Sequence, residues 1–335
     1  MPLSKPVNKA LKTWRSMFGE GTKIENWVKE RYLTSVENEM RKESGPGWVQ
    51  YSGRRFVVVS ESDEFPEPRR GVLLKGGCDL PSVFTAGPLL REGIKGTIAI
   101  SRHIGGTGGN RSDQILQTLE DLDPAAIAET REMLNMSEDY FSPTFFDPTF
   151  KINRLPEAGE FPKDIVILSI ASDETRQMYR HRREGFITDP GGWWLNQDLD
   201  RVLENQHVVE WFRTTFKRIG RMSVDDFRKN NSRLVHEIRD RLGAEVMYYN
   251  TMGLDPANPT HNYQLVKTAH SVRRREFNIA LAELSQELGF PIVDVDRILK
   301  TAGIDEQVDF AHFPVDRMAP LGAEAYRIMK DIQLA

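Results

Sequence analysis

Short apolar runs separated by amphipathic stretches set the pattern of this chain. Between the runs, residues 223–243 and 271–289 repeat apolar positions at helical spacing, and each stretch ends in glycine, a frequent helix C-terminus. Strands that alternate with helices favour a parallel sheet covered on both faces. The pattern therefore predicts a three-layer α/β/α sandwich with a five-stranded parallel sheet. The five predicted strands are 72–74 (VLL), 97–100 (TIAI), 165–170 (IVILSI), 244–249 (AEVMYY) and 290–295 (FPIVDV).

Two parts of the chain depart from this alternation. Residues 1–65 are polar and charged, with aromatic residues at roughly helical spacing, which predicts a helical N-terminal appendage followed by a linker. The main domain then spans residues 66–335. Residues 174–222 interrupt it directly after a predicted strand, where we expect a substrate-covering insertion.

Composition narrows the class of protein. The 335 residues carry a formal net charge of -4, so nothing in them calls for a nucleic acid or an anionic membrane as partner. The N-terminus lacks an apolar stretch of signal-peptide length and no segment reaches membrane-spanning length, which indicates a cytoplasmic protein. The histidines lack the spacing of a zinc site, and we expect neither a metal nor a cofactor. The oligomeric state is left open.

The chain has one cysteine, Cys78, which excludes an internal disulfide. It follows the run at 72–74 and two glycines, and the next residues, Asp79 and Pro81, suit the first turn of a helix. A thiol at a helix N-terminus gains thiolate character from the helix dipole, which would make Cys78 a nucleophile. The alternative is a buried thiol that acts as a small apolar side chain.

A second pair of reactive side chains precedes the predicted C-terminal helix. Asp309 and His312 are three residues apart, so one helical turn places both on the same side. An aspartate that accepts a hydrogen bond from one imidazole nitrogen leaves the other nitrogen as a general base. Because chance D-x-x-H matches are common, the interpretation depends on the position of this pair after the last predicted strand.

Glycine and small polar residues follow two other predicted strands. After residues 97–100 comes SRHIGGTGGNRSD, whose glycines let backbone N–H groups approach a ligand. Gly106 is the candidate oxyanion donor there, and an ordinary tight turn is the alternative. After residues 165–170 come Ser172 and Asp173. The Ser172 hydroxyl can donate a hydrogen bond into a site, or the pair can simply cap the next helix.

Four side chains are candidates for substrate contact: Arg102, Asp173, Arg180 and His181. The last two belong to the basic run YRHRREGF, which can bind an anionic or sugar-bearing substrate. A solvated charged loop is the alternative for that run. We expect the three arginines at 273–275 to lie on a solvated helix face.

Taken in order, these motifs resemble those of the SGNH/GDSL hydrolase superfamily. The resemblance covers roughly residues 70–333, and its most specific part is DFAHFPVDRMAPLGAEAYRIM at 309–329. That superfamily has a serine nucleophile, an oxyanion glycine and an oxyanion asparagine before its Asp-x-x-His pair. Here Cys78 in GGCDL stands in the place of the nucleophile, and Gly106 matches the glycine. Ser172 stands in the place of the asparagine.

The resemblance implies acyl-ester chemistry through a Cys78–His312–Asp309 triad, without a cofactor. Because a thioester hands its acyl group on readily, acyl transfer stands beside hydrolysis. The implied substrate is a small-molecule or carbohydrate ester, with sugar O-acetyl groups the commonest theme.

Two other functions compete with this interpretation. One is an SGNH-fold binding or scaffolding protein that has lost the chemistry, since Cys for Ser and Ser for Asn are changes that a decaying site would show. Retention of Asp309 and His312 argues against decay. The other is an enzyme that uses the same pocket for chemistry unrelated to acyl groups.

Overall fold

A computed structural model describes residues 40–53, 56–77, 80, 83–84, 91, 93–102, 109–136, 140–149, 155–190, 199–203, 205–253, 267–301 and 315–332. The strands of this part are β1 (Arg41–Gly45), β2 (Trp48–Ser52), β3 (Phe56–Ser60), β4 (Arg69–Lys75), β5 (Thr97–Arg102), β6 (Ile165–Ser169), β7 (Met178–His181), β8 (Ile187–Thr188), β9 (Phe216–Gly220), β10 (Glu245–Tyr249) and β11 (Ile292–Val293). The α-helices are α1 (Ser112–Gln117), α2 (Pro124–Leu134), α3 (Ala171–Thr175), α4 (Leu199–Leu203), α5 (Gln206–Thr215), α6 (Val224–Leu242), α7 (Lys267–Leu288), α8 (Val295–Thr301) and α9 (Val315–Asp331). Two short 3₁₀ helices cover Pro143–Phe146 and Pro156–Ala158.

The described strands form one large mixed sheet in the order β1-β2-β3-β5-β4-β6-β10-β11. Strands β5, β4, β6, β10 and β11 run parallel to one another, and each overlaps one of the five predicted runs. The five predicted parallel strands are therefore confirmed, and the sheet is larger than predicted because three antiparallel strands extend it to eight. Its first strand, β4, lies inside the sheet with β5 on one side and β6, β10 and β11 on the other, which is the flavodoxin-like order of a doubly wound fold.

Each parallel strand contributes to two hydrophobic cores because its side chains alternate between the faces of the sheet. Val72 and Leu74 of β4 pack with residues of α8 and α9 on one face. Leu73 packs with residues of α1, α6 and α7 on the other face. The sheet is thus covered on both sides, and the predicted three-layer α/β/α sandwich is confirmed.

Helix α6 follows the signals in its sequence. The Ser223 hydroxyl accepts a hydrogen bond from the Asp226 backbone N–H at 3.0 Å and caps the N-terminus. Gly243 ends the helix with a φ of +62°, and its N–H donates to the Arg239 carbonyl at 3.0 Å. Val235 and Ile238 are fully buried against the sheet, so the apolar stripe of the helix faces the core as predicted.

Residues 41–60 correct the prediction of a helical appendage over residues 1–65. They form the antiparallel strands β1, β2 and β3, which continue the sheet beyond β5. Val57 and Val59 pack in one core and Val58 in the other, so β3 is part of the main domain. No domain boundary therefore falls at residue 65. The rest of the predicted appendage, residues 1–39, lies outside the described residues.

The insertion at residues 174–222 carries a second, three-stranded antiparallel sheet in the order β8-β7-β9. It follows the carboxyl end of β6 in the chain. Its core is aromatic and includes residues from the segment between β5 and β6, so that segment and the insertion pack together. That core contains Tyr140, Phe141, Phe186, Phe212 and Phe216.

No helix in the described ranges combines the length and the apolar character that crossing a bilayer requires.

Candidate active site

Several predicted site residues lie outside the described residues: Cys78, Gly106, Asp309 and His312. The chain on either side of each of them is described. Strand β4 ends at Lys75 and leads to Cys78, and strand β5 leads to the glycine segment. Helix α9 begins at Val315, shortly after His312. The location of the site therefore follows from the strands and the helix that flank these residues.

Gly76 fixes the end of β4 against the end of β6. A Cβ atom on this residue would lie 2.7 Å from the Ser169 Cβ and 2.7 Å from the Leu80 Cδ1, closer than carbon atoms pack in proteins. Glycine is therefore needed for the two backbones to approach this closely. The contact holds the chain just before Cys78 beside the strand end that leads to Ser172.

Gly322 makes the corresponding contact for α9. A Cβ atom here would lie 2.6 Å from the carbonyl oxygen of Val83, which is backbone and has little freedom to move. Leu321 and Ala325 on the same helix are fully buried, so the helix is packed tightly at this point. The helix that follows His312 is thus held against the segment that follows Cys78.

Ser172 lies in the first turn of α3, directly after the carboxyl end of β6. Its side chain is buried, and within the described part of the chain its hydroxyl has no hydrogen-bond partner. A buried hydroxyl ordinarily finds a partner, so this group is available to a ligand at the sheet edge. The position suits the predicted oxyanion donor.

Asp173 corrects a prediction, because its carboxylate points into the protein. One oxygen accepts a hydrogen bond from the Ser112 backbone N–H at 2.6 Å and the other from the Asn231 amide at 2.9 Å. The Tyr248 hydroxyl in turn donates to Asn231 at 2.9 Å. Burial raises the pKa of Asp173 to about 6, and the bonds from Asn231 and Ser112 oppose that rise. Asp173 therefore joins the turn after β6 to the segment after β5, and the prediction that it contacts substrate is wrong.

Glu174 and Arg274 form an ion pair in the interior. The Arg274 Nε donates to the Glu174 carboxylate at 2.7 Å, and the two side chains are 4% and 0% exposed. Burial raises the pKa of Glu174, while the Arg274 charge opposes that rise. The expectation that residues 273–275 form a solvated face is right for Arg275, which is exposed, and wrong for Arg274.

His181 lies in the aromatic core of the insertion. Its ring stacks on Phe186 with centroids 4.8 Å apart and meets Phe216 edge-on at 5.1 Å. Its Nδ1 accepts a hydrogen bond from the Glu184 backbone N–H at 3.1 Å, and burial lowers the pKa of the imidazole. The imidazole is buried in this aromatic core, and this environment argues against the predicted substrate contact of His181.

The two remaining candidates for substrate contact are arginines. Arg180 is exposed on β7, and no residue of the described ranges binds its side chain, as the solvated alternative expects. Arg102 is the last residue of β5, and its side chain lies outside the described part. Substrate contact by these two residues stays a prediction. The described residues contain no group of three or more His, Cys, Asp or Glu side chains that could hold a metal ion.

The residues that hold these elements together are not among the predicted site residues. Asn231 lies on the buried face of α6, four residues after Phe227, and a polar amide on an apolar stripe signals a buried hydrogen bond. Gly322 lies inside a helix, where glycine is unfavourable, and so signals a close backbone approach. The pairing of Glu174 with Arg274 leaves no local signal because the two residues are far apart in the chain.

No protein-family model and no curated protein sequence matches the chain. Among solved structures, a lipase/acylhydrolase from Enterococcus faecalis is similar at 15% identity and a TM-score of 0.42, covering 78% of this chain and 96% of that one. A putative SGNH hydrolase from Slackia heliotrinireducens is similar at 12% identity and a TM-score of 0.40, covering 78% of this chain and 100% of that one. An acetylxylan esterase from Geobacillus stearothermophilus, solved as a catalytic mutant, is similar at 12% identity and a TM-score of 0.36, covering 79% of this chain and 95% of that one.

These similarities are too distant to assign an activity. The fold follows from the strand order and from the helices on both faces of the sheet, which are described above. The three-layer sandwich and strand order of this chain are those of a flavodoxin-like α/β/α fold.

Proposed function

We propose that the chain is an acyl-ester hydrolase or acyltransferase of the SGNH type that uses Cys78, His312 and Asp309. The observation that supports this proposal is a pair of glycine contacts: that of Gly76 at the carboxyl edge of the sheet, and that of Gly322 on α9 with the segment that follows Cys78. Gly76 and Gly322 draw together the elements that carry the nucleophile motif, the Ser172 turn and the D-x-x-H motif. Doubly wound sheets bind their ligands at this edge.

In the first half of the proposed reaction, the Cys78 thiolate attacks the carbonyl carbon of the ester. The backbone N–H groups of Cys78 and Gly106 and the Ser172 hydroxyl stabilise the negative charge on the carbonyl oxygen. The bond to the alcohol oxygen then breaks, and the leaving alkoxide takes a proton from His312. Asp309 orients His312 throughout.

In the second half, a water molecule or an acceptor hydroxyl gives its proton to His312 and attacks the thioester carbonyl. The carbon–sulfur bond breaks, and the Cys78 thiolate is restored. Water gives hydrolysis and another hydroxyl gives transfer. The chemistry uses no cofactor, and we propose a small-molecule or carbohydrate ester as substrate.

The test is the intact mass of the protein after brief exposure to p-nitrophenyl acetate. We expect a single acetyl adduct on the wild type and none on Cys78→Ala or His312→Ala, because acylation needs both the thiol and its base. All three proteins are also treated with iodoacetamide at neutral pH. A wild type that forms no adduct and alkylates slowly would reject the cysteine mechanism and favour a binding protein of the same fold.

A second test concerns Ser172. We expect Ser172→Ala to lower kcat for p-nitrophenyl acetate about 10²- to 10³-fold, the usual cost of one oxyanion donor. The free energy of unfolding should not change, since the hydroxyl has no partner in the described part of the chain.

The matched control is Ser223→Ala, which removes the hydroxyl that caps α6. It should lose about 1 kcal/mol of stability and keep its turnover. A Ser172→Ala protein with wild-type kcat would exclude the oxyanion role.

A further inference from the structure

Arg273 is held rigidly at the carboxyl edge of the sheet by neutral acceptors. Its Nε donates to the Glu174 carbonyl at 2.7 Å, and one terminal nitrogen donates to the Met222 carbonyl at 2.5 Å and the Asp173 carbonyl at 3.3 Å. Its guanidinium carbon lies 4.3 Å from the centre of the Phe277 ring. These contacts fix the orientation of the guanidinium. They do not neutralise its charge, because the nearby Glu174 carboxylate is paired with Arg274.

A second arginine lies beside Arg273. Arg221 precedes Met222, whose carbonyl binds Arg273, and its side chain is half-buried. Within the described ranges the Arg221 side chain makes no hydrogen bond or ion pair. Burial lowers the pKa of both arginines, that of Arg273 to about 10, with the Arg221 charge as the second cause. Both cations are thus partly desolvated, and the Glu174 carboxylate, which attracts each of them, makes its ion pair with Arg274.

The location of this pair connects it with the candidate active site. Arg273 binds the carbonyls of the two residues that follow Ser172, so its guanidinium lies next to the proposed oxyanion donor. Arg221 stands where the insertion ends and the chain returns to α6. The pair therefore lies between the sheet edge and the base of the insertion.

We propose that Arg221 and Arg273 form a subsite for a negatively charged oxyanion group, a carboxylate or a phosphate, carried by the substrate of the neighbouring acyl-ester site. The planar guanidinium of Arg221 matches the oxygen geometry of both groups and can bind either one through two parallel hydrogen bonds. Arg273 adds its second terminal nitrogen, since its Nε and the other terminal nitrogen already donate to carbonyls. An anion between the two cations removes their mutual repulsion, and partial burial strengthens the attraction. The placement beside an acyl-ester site rests on the proposed function, whereas anion binding by the pair does not.

Anion binding is tested by calorimetry with sodium phosphate and sodium succinate at an ionic strength held constant with sodium chloride. We expect saturable binding by the wild type and an affinity about 10- to 100-fold lower in Arg221→Gln, the range for hydrogen bonds to a charged group. Circular dichroism shows whether the variant is folded. The matched control is Lys217→Gln, which removes an exposed positive charge from β9 and should change the affinity by less than about twofold.

Two outcomes of this titration would overturn the subsite. One is a wild type that binds neither anion, and the other is equal binding by the wild type and Arg221→Gln. The anion that binds more tightly identifies the group, carboxylate or phosphate.

The link to ester chemistry is tested with p-nitrophenyl acetate and the mono-p-nitrophenyl ester of succinate. The ratio of kcat/KM for the charged ester to kcat/KM for the neutral one should fall about tenfold or more in Arg221→Gln and stay constant in Lys217→Gln. A ratio that does not change in Arg221→Gln would show that the anion site does not bind the charged group of the ester substrate. A wild type that cleaves neither ester would reject the proposed function, and the calorimetry would still decide on the anion site.

Discussion

Asp173 shows how one side chain at the sheet edge can link two neighbouring elements, α1 and α6. Its carboxylate accepts hydrogen bonds from Ser112, in the segment after β5, and from Asn231 on α6. Ser172 is its immediate neighbour, so the same bonds that hold Asp173 also fix the proposed oxyanion donor. We regard Asp173 as a positioning residue for that donor.

The raised pKa of Asp173 predicts a pH dependence of stability. In the unfolded chain the carboxyl titrates near its ordinary pKa of 3.8, and in the folded protein near 6. Between these two pH values the Asp173 carboxyl is protonated in the folded state and ionised in the unfolded state. The stability that protonation of Asp173 contributes is therefore fully present below about pH 4 and is lost as the pH rises through 6. A difference of this size corresponds to about 3 kcal/mol.

The measurement is the free energy of unfolding in urea from pH 4 to pH 7 for the wild type and Asp173→Asn. The amide does not titrate, so the variant should gain stability relative to the wild type as the pH rises to 6, and the difference should then level off. Parallel curves would contradict the assigned pKa.

Single residues mark the limit of what the sequence predicts. Ser172 could be chosen because it comes shortly after an apolar run. Its burial suits the prediction, and so does the lack of a hydrogen-bond partner for its hydroxyl among the described residues. The burial of Arg274 and His181 could not be predicted from the sequence, since each lies in a run of basic residues typical of a solvated surface. Arg274 pairs with Glu174 and His181 stacks on Phe186, and both contacts depend on the tertiary structure.

At the scale of elements, the contact between α9 and the segment after Cys78 predicts that alanine in place of a helical glycine lowers the stability of the protein. Alanine in place of glycine inside a helix normally stabilises by about 1 kcal/mol. At Gly322 the added Cβ would lie 2.6 Å from the Val83 carbonyl oxygen, so Gly322→Ala must shift the helix. We therefore expect a lower melting temperature and slower acylation, because α9 follows His312. A rise in melting temperature would show that the helix adjusts without cost.

The elements of the parallel sheet were predictable and those of its extension were not. Buried parallel strands appear in the sequence as uninterrupted apolar runs, and all five were found. Strand β1 is polar and largely exposed, and only β3 carries an apolar run, VVV at 57–59. Its pairing partner β5 follows later in the chain, so the local pattern did not reveal the meander.

At the scale of the whole molecule, one arginine holds both ends of the insertion. Arg111 is buried and donates to the carbonyl of Arg176, where the insertion begins, at 3.0 Å, and to that of Gly220, where it ends, at 3.3 Å. The Gln117 amide also bonds to the N–H and the carbonyl of Ile187, each at 2.8 Å. The insertion is therefore docked on the main domain through hydrogen bonds from α1 and the residue that precedes it.

We predict that Arg111→Gln increases hydrogen exchange across β7 and β9 while β4 and β6 keep their protection, as measured by mass spectrometry. The matched control is Arg239→Gln, since Arg239 also donates to two carbonyls, those of Leu288 and Gly289, at the end of α7. The control should affect the end of α7 and leave the insertion unchanged. Uniformly faster exchange in Arg111→Gln would show that the insertion and the main domain unfold as one unit.

The strand order also has a consequence for synthesis on the ribosome. Strands β1 to β5 emerge together and can pair as they appear, but β4 ends at Lys75 and its other neighbour, β6, begins at Ile165. The other edge of β6 stays unpaired until β10 emerges, which happens only after the whole insertion has been synthesised. Pairing between distant segments is slow, and an open strand edge is prone to wrong association while it waits. A nascent chain of this fold therefore exposes an unpaired parallel edge at β4, then at β6 and then at β10, each time until the next strand of the sheet emerges.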